Sequence, residues 1–194
     1  MDPLSVFDLA KRRRTIRRFQ KKPVPYNILE DCVEASRLAP SGANMQPCEY
    51  LIVDDETLLP QVFSTLKWAG YIAPKGNPPP GEEPTAYIVI LMNRQKRPQG
   101  GDHDAGIVAA YISLVALEKG LGSCLIASVD RDRLRQILKV PDHCEINLVV
   151  ALGYPNESPT VEDLRDSVKY WKDEQGALHV PKRKLTDILH RNGY

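Results

Sequence analysis

One stretch decides how this chain can be understood: Lys11-Arg12-Arg13-Arg14-Thr15-Ile16-Arg17-Arg18-Phe19. Six of its nine residues are basic, and the hydrophobic residues Ile16 and Phe19, three positions apart, can pin it to a core. Two simpler interpretations are a solvated helix end and an arm that binds nucleic acid. The apolar anchors and the hydroxyl of Thr15 favour an ordered anion site instead. Because guanidinium groups bind phosphate in a bidentate way that lysine does not match, the stretch predicts a phosphate site.

The composition is typical of a single globular domain. The chain has 194 residues, of which 42% are hydrophobic, and no apolar run approaches the roughly 20 residues that a membrane span needs. The net charge of +1 creates no overall field that would attract nucleic acid. We therefore expect neither a membrane nor a nucleic acid as partner.

The pattern of cysteines and the N-terminal residues indicate the cellular location of the protein. The four cysteines include no CxxC pair, which indicates reduced thiols in a cytoplasmic protein. The stretch Met1-Asp2-Pro3-Leu4 has neither the basic nor the apolar region of a signal peptide. His143 and Cys144 are neighbours and make a poor chelate, so no metal is expected.

Apolar runs and helix-like periodicity predict strands separated by helices, the pattern of an α/β layered domain. The predicted strands cover residues 48–54, 85–92, 123–129 and 146–152. The predicted helices cover residues 6–12, 26–39, 57–68, a long segment ending near 119, and 130–139. Ser5 is the expected N-cap of the first helix, and Asp102 or Asp104 that of the long one. The strand at 85–92 is apolar on both faces and is expected to lie centrally in its sheet.

The loop Ala39-Pro40-Ser41-Gly42-Ala43-Asn44-Met45-Gln46-Pro47 predicts a ligand contact. A plain turn between helix and strand is the simpler interpretation, but such a turn does not need nine residues that include Ser, Asn and Gln. Small residues let a planar ligand approach the backbone, and amides offer donors and acceptors to the edge of a heterocycle.

Two features point beyond a single compact unit. The helix segment 105–117 is apolar nearly all round, so it is expected to lie at the domain centre or at a subunit interface. The last forty residues are polar and hold too few apolar residues for a core of their own. They also bring a second basic cluster, within residues 178–185, that could close with the first on one phosphate.

Taken in order, these elements resemble the nitroreductase family of FMN-dependent oxidoreductases over most of the chain. The residues that carry the resemblance are Arg13-Arg14-Thr15-Ile16-Arg17-Arg18-Phe19, Pro40-Ser41-Gly42-Ala43-Asn44-Met45-Gln46-Pro47, Asp104-Ala105-Gly106, Gly120-Leu121-Gly122-Ser123-Cys124, Gly153-Tyr154-Pro155 and Lys182-Arg183-Lys184-Leu185. The resemblance implies an α+β fold, layered α/β/α, whose mixed central sheet has four strands of its own and a C-terminal strand exchanged across a homodimer. Residues 1–154 would form the FMN-binding domain, and residues 155–194 an arm of the same domain over the partner. Two FMN sites would lie at the interface.

The resemblance assigns the basic residues to the phosphate and ring edge of the flavin. Those matching the phosphate and ribityl contacts are Arg13, Arg14 and Thr15. Arg17 matches a basic residue near the pyrimidine edge. The second phosphate clamp matches Arg183 with Lys182 or Lys184.

Two further segments match family contacts. The loop that the other subunit lays against the flavin corresponds to Pro40, Ser41, Gly42, Asn44 and Gln46. Ala127 and Ser128 match the strand end whose backbone N–H faces flavin N5. Many members carry Glu-Gly or Trp-x-Gly there, so only the backbone contact carries over.

The resemblance implies an enzyme in which the flavin performs the chemistry and the protein binds, orients and tunes it. NADH or NADPH would deliver hydride and leave, and a nitroaromatic, a quinone or a similar small acceptor would then take its place in a ping-pong cycle. No catalytic side chain is expected, and Arg17 would tune the flavin by placing positive charge beside it.

Three alternatives stay open at this stage. One is another flavin chemistry on the same scaffold, such as dehalogenation or flavin fragmentation. Another is a protein that sequesters FMN without turnover, which would not oxidise NAD(P)H. A nucleic-acid reader is more distant, because it would need a wider basic face and would bind in a strongly salt-dependent way.

Overall fold

The computed structural model describes residues 5–74 and 76–194, and its centre is a four-stranded sheet. The strands are β1 (Cys48–Val53), β2 (Ala86–Asn93), β3 (Gly122–Ile126) and β4 (Cys144–Gly153). Their order is β1-β2-β4-β3, and neighbouring strands are antiparallel. A parallel bridge between Thr15 and Ser123 at the β3 edge makes the sheet mixed. The four predicted strands are confirmed, with small shifts at their ends.

Strand β2 is buried along its whole length, which confirms its central place in the sheet. Its side chains alternate between the two faces, as the pleat of a strand requires. The odd-numbered side chains enter one hydrophobic core, and the even-numbered ones enter another. The sheet therefore separates two cores, each covered by helices.

The described residues form five α-helices: α1 (Val6–Arg12), α2 (Tyr26–Arg37), α3 (Leu59–Phe63), α4 (Asp102–Glu118) and α5 (Arg131–Leu138). Helix α1 contacts α4. Helices α2 and α4 contribute to one core, and α3 and α5 contribute to the other. Ser5 is the N-cap of α1, as predicted, and its hydroxyl accepts from the N–H of Asp8 at 3.1 Å. These layers confirm the α+β class.

Helix α3 is much shorter than the predicted segment 57–68. The helix ends at Phe63, and three residues later Leu66 forms an antiparallel bridge with Val129. The N–H of Lys67 then donates to the carbonyl of Ser128 at 3.0 Å. Pairing with the chain beyond β3 thus replaces the last helical turns.

The predicted cap of α4 is wrong. The N-cap is Gly101, with φ 95°, a conformation that favours glycine. Asp102 accepts instead from the side-chain amide of Asn147 at 2.8 Å. Asp104 is buried and bonds to residues outside the helix, so neither carboxylate is used as a cap.

Residues 155–194 include a small second sheet with strands β5 (Thr160–Asp163), β6 (Trp171–Lys172) and β7 (Leu178–Lys182), in the order β5-β7-β6. The ring of His179 joins the three strands. Its nitrogens lie 3.3 Å from Glu162 and 3.1 Å from Asp173, and it stacks on Trp171 with centroids 4.2 Å apart. Hydrogen bonding, first to Asp173 and then to Glu162, raises the pKa of His179. The division at residue 154 and the exchange of a strand across a dimer stay predictions.

In the two ranges that the structure describes, no helix combines the length and apolar character needed to cross a membrane.

Candidate functional site

The basic stretch is fixed to the sheet by its two apolar anchors. Ile16 and Phe19 are buried, and the N–H of Ile16 donates to the carbonyl of Ser123 at 2.9 Å. A Cβ on Gly122 would stand 2.7 Å from Ile16, and one on Gly153 would stand 2.9 Å from the ring of Phe19. The two glycines, which pair across β3 and β4, are therefore needed for the close approach of the stretch.

A cavity of about 140 Å³ opens beside the first three arginines of this stretch. Arg12, Arg13 and Arg14 line it together with Ser113 and Leu117 of α4 and with residues that follow β4, among them Glu157. Among the described residues, no carboxylate oxygen lies within 4 Å of the guanidinium of Arg13 or Arg14. Partial burial, and then the charge of Arg13, lower the pKa of Arg14. The guanidinium of Arg14 donates to the main-chain carbonyls of Arg13 and Lys11. The arginines beside the cavity thus form no ion pair with a described residue, although the acidic Glu157 also lines the cavity.

Arg18 has a different role from the preceding arginines. It forms a bidentate ion pair with Glu82, in which one hydrogen bond is 2.8 Å long. The hydrogen bond that Arg18 donates to Glu82 raises the pKa of Arg18. The N–H of Phe19 also donates to the carbonyl of Glu82. Arg18 thus attaches the segment before β2, which contains Glu82, to the basic stretch. Its positive charge is neutralised by Glu82.

Arg17 does not line the cavity but contacts residues 155–194, the C-terminal segment. Its guanidinium carbon is 4.9 Å from the centroid of the Tyr170 ring. Burial raises the pKa of Cys124 to about 11, and the charge of Arg17 opposes this rise. Arg17 is consequently close to the middle of β3 rather than at the cavity itself.

The loop between α2 and β1 is held by a buried carboxylate. Asp104 accepts from the N–H of Gly42 at 3.0 Å and from the guanidinium of Arg97 at 2.7 Å. The hydroxyl of Ser41 accepts from the N–H of Gln46 at 3.0 Å. These contacts leave Gly42 and Gln46 exposed on a fixed loop.

The backbone of this loop is unusual. Ala43, Asn44 and Gln46 all have positive φ, between 47° and 55°, although none is glycine. Such a conformation is costly for side chains other than glycine and persists only where the surroundings enforce it. Asn44 and Pro40 are exposed, so the loop presents small and amide groups outward. The predicted ligand contact of this loop stays a prediction.

Within one chain, the loop and the cavity lie at opposite ends of α4. The loop contacts the helix at Asp104, whereas the cavity contacts it at Ser113 and Leu117. At 1.5 Å per residue, these positions are about 14–20 Å apart along the axis. The structure therefore does not bring the two predicted groups together in a single subunit.

Ala127 and Ser128 follow the last residue of β3 and are exposed. Their carbonyls accept hydrogen bonds, at 3.1 Å from Arg131 and at 3.0 Å from Lys67. Because Thr15 pairs with the start of β3, Ala127 lies about 13 Å farther along the strand. The basic stretch and these residues thus lie along one edge of the sheet.

The second basic cluster lies at the end of β7. Lys182, Arg183 and Lys184 are exposed. Arg183 donates to the carbonyl of Asp187 at 2.7 Å, and Lys184 is 3.9 Å from Asp163. In the described part of the chain, none of the three lines the cavity beside the first cluster. One subunit alone therefore does not close the two clusters on a common ligand.

Two contributors were not predicted from the sequence. Arg97 fixes Asp104, and Glu157 accepts from the main-chain N–H groups of Arg17 and Arg18 at 2.5 and 3.2 Å. Glu157 lies four positions after Gly153, the last residue of β4. A carboxylate this close to that glycine was the one sequence feature that could have pointed to Glu157.

Comparison with known proteins gives consistent matches. The model described as the nitroreductase family matches residues 10–154. The iodotyrosine deiodinase of Thermotoga neapolitana is 26% identical over 167 residues, covering 78% of this chain and 89% of that protein. The NADH dehydrogenase of Thermus thermophilus is 28% identical over 183 residues, covering 76% and 85%.

A solved structure is similar along nearly the whole chain. It is the FMN-dependent nitroreductase of Clostridium difficile R20291, with a TM-score of 0.70 and 25% identity, covering 97% of this chain and 99% of that one. The resemblance inferred from the motifs and the nitroreductase-like fold are both confirmed, and the chain belongs to the nitroreductase family.

Proposed function

We propose that this protein is an FMN-dependent oxidoreductase that passes hydride from NADH or NADPH to a nitroaromatic, a quinone or a similar small acceptor. The observation that carries the proposal is that Arg13 and Arg14, which form no ion pair with a described residue, lie beside a cavity at the edge of the sheet. Guanidinium groups without a carboxylate partner suit a dianionic phosphate. The donor set therefore fits the phosphate of FMN.

When bound, FMN would supply a ring that accepts and returns hydride. Arg13, Arg14 and Thr15 would hold its phosphate and ribityl chain, and Lys182, Arg183 and Lys184 would complete the clamp. Arg17 would place a positive charge beside the pyrimidine edge. At 4 Å and an effective dielectric constant of 20, one such charge pair is worth about 4 kcal/mol before desolvation. This charge would favour acceptance of hydride.

We also propose a homodimer with both FMN sites at the interface. Helix α4 leaves an apolar stripe at its surface, where Gly106 and Ala110 are exposed and Tyr111 is 39% exposed. If two copies of α4 packed antiparallel, the loop of one subunit would lie near the basic stretch of the other. This arrangement would bring together the two groups that a single chain keeps about 14–20 Å apart.

The free thiols of all four cysteines support our proposal of a cytoplasmic location, because reducing compartments preserve them.

Reductive dehalogenation on the same scaffold is a second candidate. It is favoured by the similarity to a protein named iodotyrosine deiodinase. The ring centroids of the exposed Tyr71 and of Tyr170 are 5.1 Å apart, and the two rings form an aromatic surface near Arg17. Release of iodide from an iodinated tyrosine, compared with reduction of a nitroaromatic, would separate the two chemistries.

The test is the visible spectrum of the purified protein, recorded anaerobically before and after addition of NADH or NADPH. We expect a flavin spectrum that bleaches with one or both nucleotides and recovers when an acceptor is added. A flavin that neither nucleotide bleaches would contradict the proposed electron donor. No flavin binding, even after FMN is supplied, would refute the proposed function.

A further inference from the structure

Residues of the C-terminal segment hold Arg17 at both its ends. Its main-chain N–H donates to Glu157 Oε1 at 2.5 Å, and its guanidinium lies over the ring of Tyr170. The same oxygen of Glu157 also accepts from the N–H of Arg18 at 3.2 Å. The main chain and the side chain of Arg17 therefore depend on two residues more than 130 positions away.

The surrounding amides show why Glu157 matters. The N–H groups of Ile16, Phe19 and Gln20 donate to main-chain carbonyls, whereas those of Arg17 and Arg18 donate to this one carboxylate. Two successive N–H groups directed at one anion form a charge-assisted site. The carboxylate thus sets the path of the main chain where the side chain of Arg17 leaves it.

Glu157 does not act by neutralising a basic side chain. Across residues 5–74 and 76–194, no side-chain nitrogen of Lys, Arg or His lies within 4 Å of its carboxylate. The main-chain N–H of Arg18 contacts Glu157, but the side chain of Arg18 forms its ion pair with Glu82 instead. The contact of Glu157 with the stretch is therefore made through the amides.

We propose that Glu157 and Tyr170 are positioning residues, which fix the direction in which Arg17 presents its charge to the flavin. The inference rests on the proposed function, because it takes Arg17 to lie beside the pyrimidine edge of FMN. Glu157 and Tyr170 set the reduction potential of the bound flavin through Arg17. Arg13 and Arg14 provide retention of the flavin. Glu157 also lines their cavity, but its carboxylate does not attract a phosphate, so its loss does not weaken FMN binding.

The experiment uses the FMN-loaded full chain and two pairs of variants, Glu157→Ala with Glu157→Gln and Tyr170→Leu with Tyr170→Phe. Gln keeps an oxygen that accepts from the amides, and Phe keeps a ring under the guanidinium. We expect the Ala and Leu variants to have a lower flavin potential and a hydride-transfer rate reduced about tenfold, with FMN affinity reduced by less than about threefold. The Gln and Phe variants should restore both quantities.

Two controls separate positioning from general destabilisation. Glu174→Ala makes the same replacement at an exposed turn residue of the same segment and should change nothing. In an Arg17→Ala background, Glu157→Ala should cause no further fall in potential, because the group that it positions is gone. A further fall there, or a Gln variant as impaired as the Ala variant, would overturn the inference. If the Glu157→Ala and Tyr170→Leu variants bind FMN and keep the wild-type flavin potential, the positioning role is refuted but the proposed function is not. If the wild-type protein binds no FMN, the proposed function is refuted as well.

Discussion

Replacement of Phe19 by Ala tests whether the basic stretch is held by its apolar anchors. The side chain is fully buried, and its ring packs against the backbone at Gly153. A buried Phe contributes about 150 Å² of apolar surface. At roughly 25 cal/mol per Å², its loss corresponds to about 4 kcal/mol. This agrees with the range of about 3–5 kcal/mol seen for Phe→Ala in protein cores.

The assay is equilibrium unfolding in urea, followed by circular dichroism. We expect the free energy of unfolding to fall by about 4 kcal/mol while the m-value is unchanged, since the fold itself is kept. Phe7→Ala is the matched control, because Phe7 is 67% exposed and should cost less than about 1 kcal/mol. A Phe19→Ala variant that loses no more stability than the Phe7→Ala variant would refute the anchoring.

Three further perturbations follow from contacts in and beside the site. Gly122→Ala would place a Cβ 2.7 Å from Ile16, so we expect a loss of about 1–3 kcal/mol in the same urea assay, and unchanged stability would contradict the close packing. Asp104→Asn removes the charge that holds the N–H of Gly42, so amide hydrogen exchange in that loop should accelerate; exchange as slow as in the wild type would show that other contacts fix it. The raised pKa of His179 means that its protonated ring stabilises the small sheet fully below an unfolded-state pKa of about 6.5 and ceases to do so as pH rises through the folded-state value. Limited proteolysis of the C-terminal segment, corrected for the protease's own pH response, should accelerate over that range, and a pH dependence that persists in His179→Gln would argue against this role.

Local sequence signals predicted most of the central sheet and its helices. Strand β2 was predicted because an apolar run on both faces has no other place in a sheet than its interior. Ser5 was predicted as a cap because its hydroxyl can reach the N–H three residues ahead. The order of short motifs also predicted the family, which no motif alone could have done.

The errors and omissions come from contacts between distant residues. Asp102 or Asp104 was expected to cap the long helix, but Asp104 accepts from Gly42, 62 positions away, and no local pattern encodes that pairing. The bridge between Leu66 and Val129 shortened α3 in the same way. The small C-terminal sheet was missed because its strands are short and lack regular apolar alternation. The roles of the predicted flavin contacts stay predictions.

The central claim is that the basic stretch binds the phosphate of FMN. The most direct measurement compares the dissociation constants of the apoprotein for FMN and for riboflavin, which lacks the phosphate. Two charge-assisted contacts predict that FMN binds about 100-fold more tightly. They also predict that the double variant Arg13→Gln, Arg14→Gln loses most of this preference. Equal affinity for the two flavins in the wild type, or a preference that survives the double substitution, would contradict the claim.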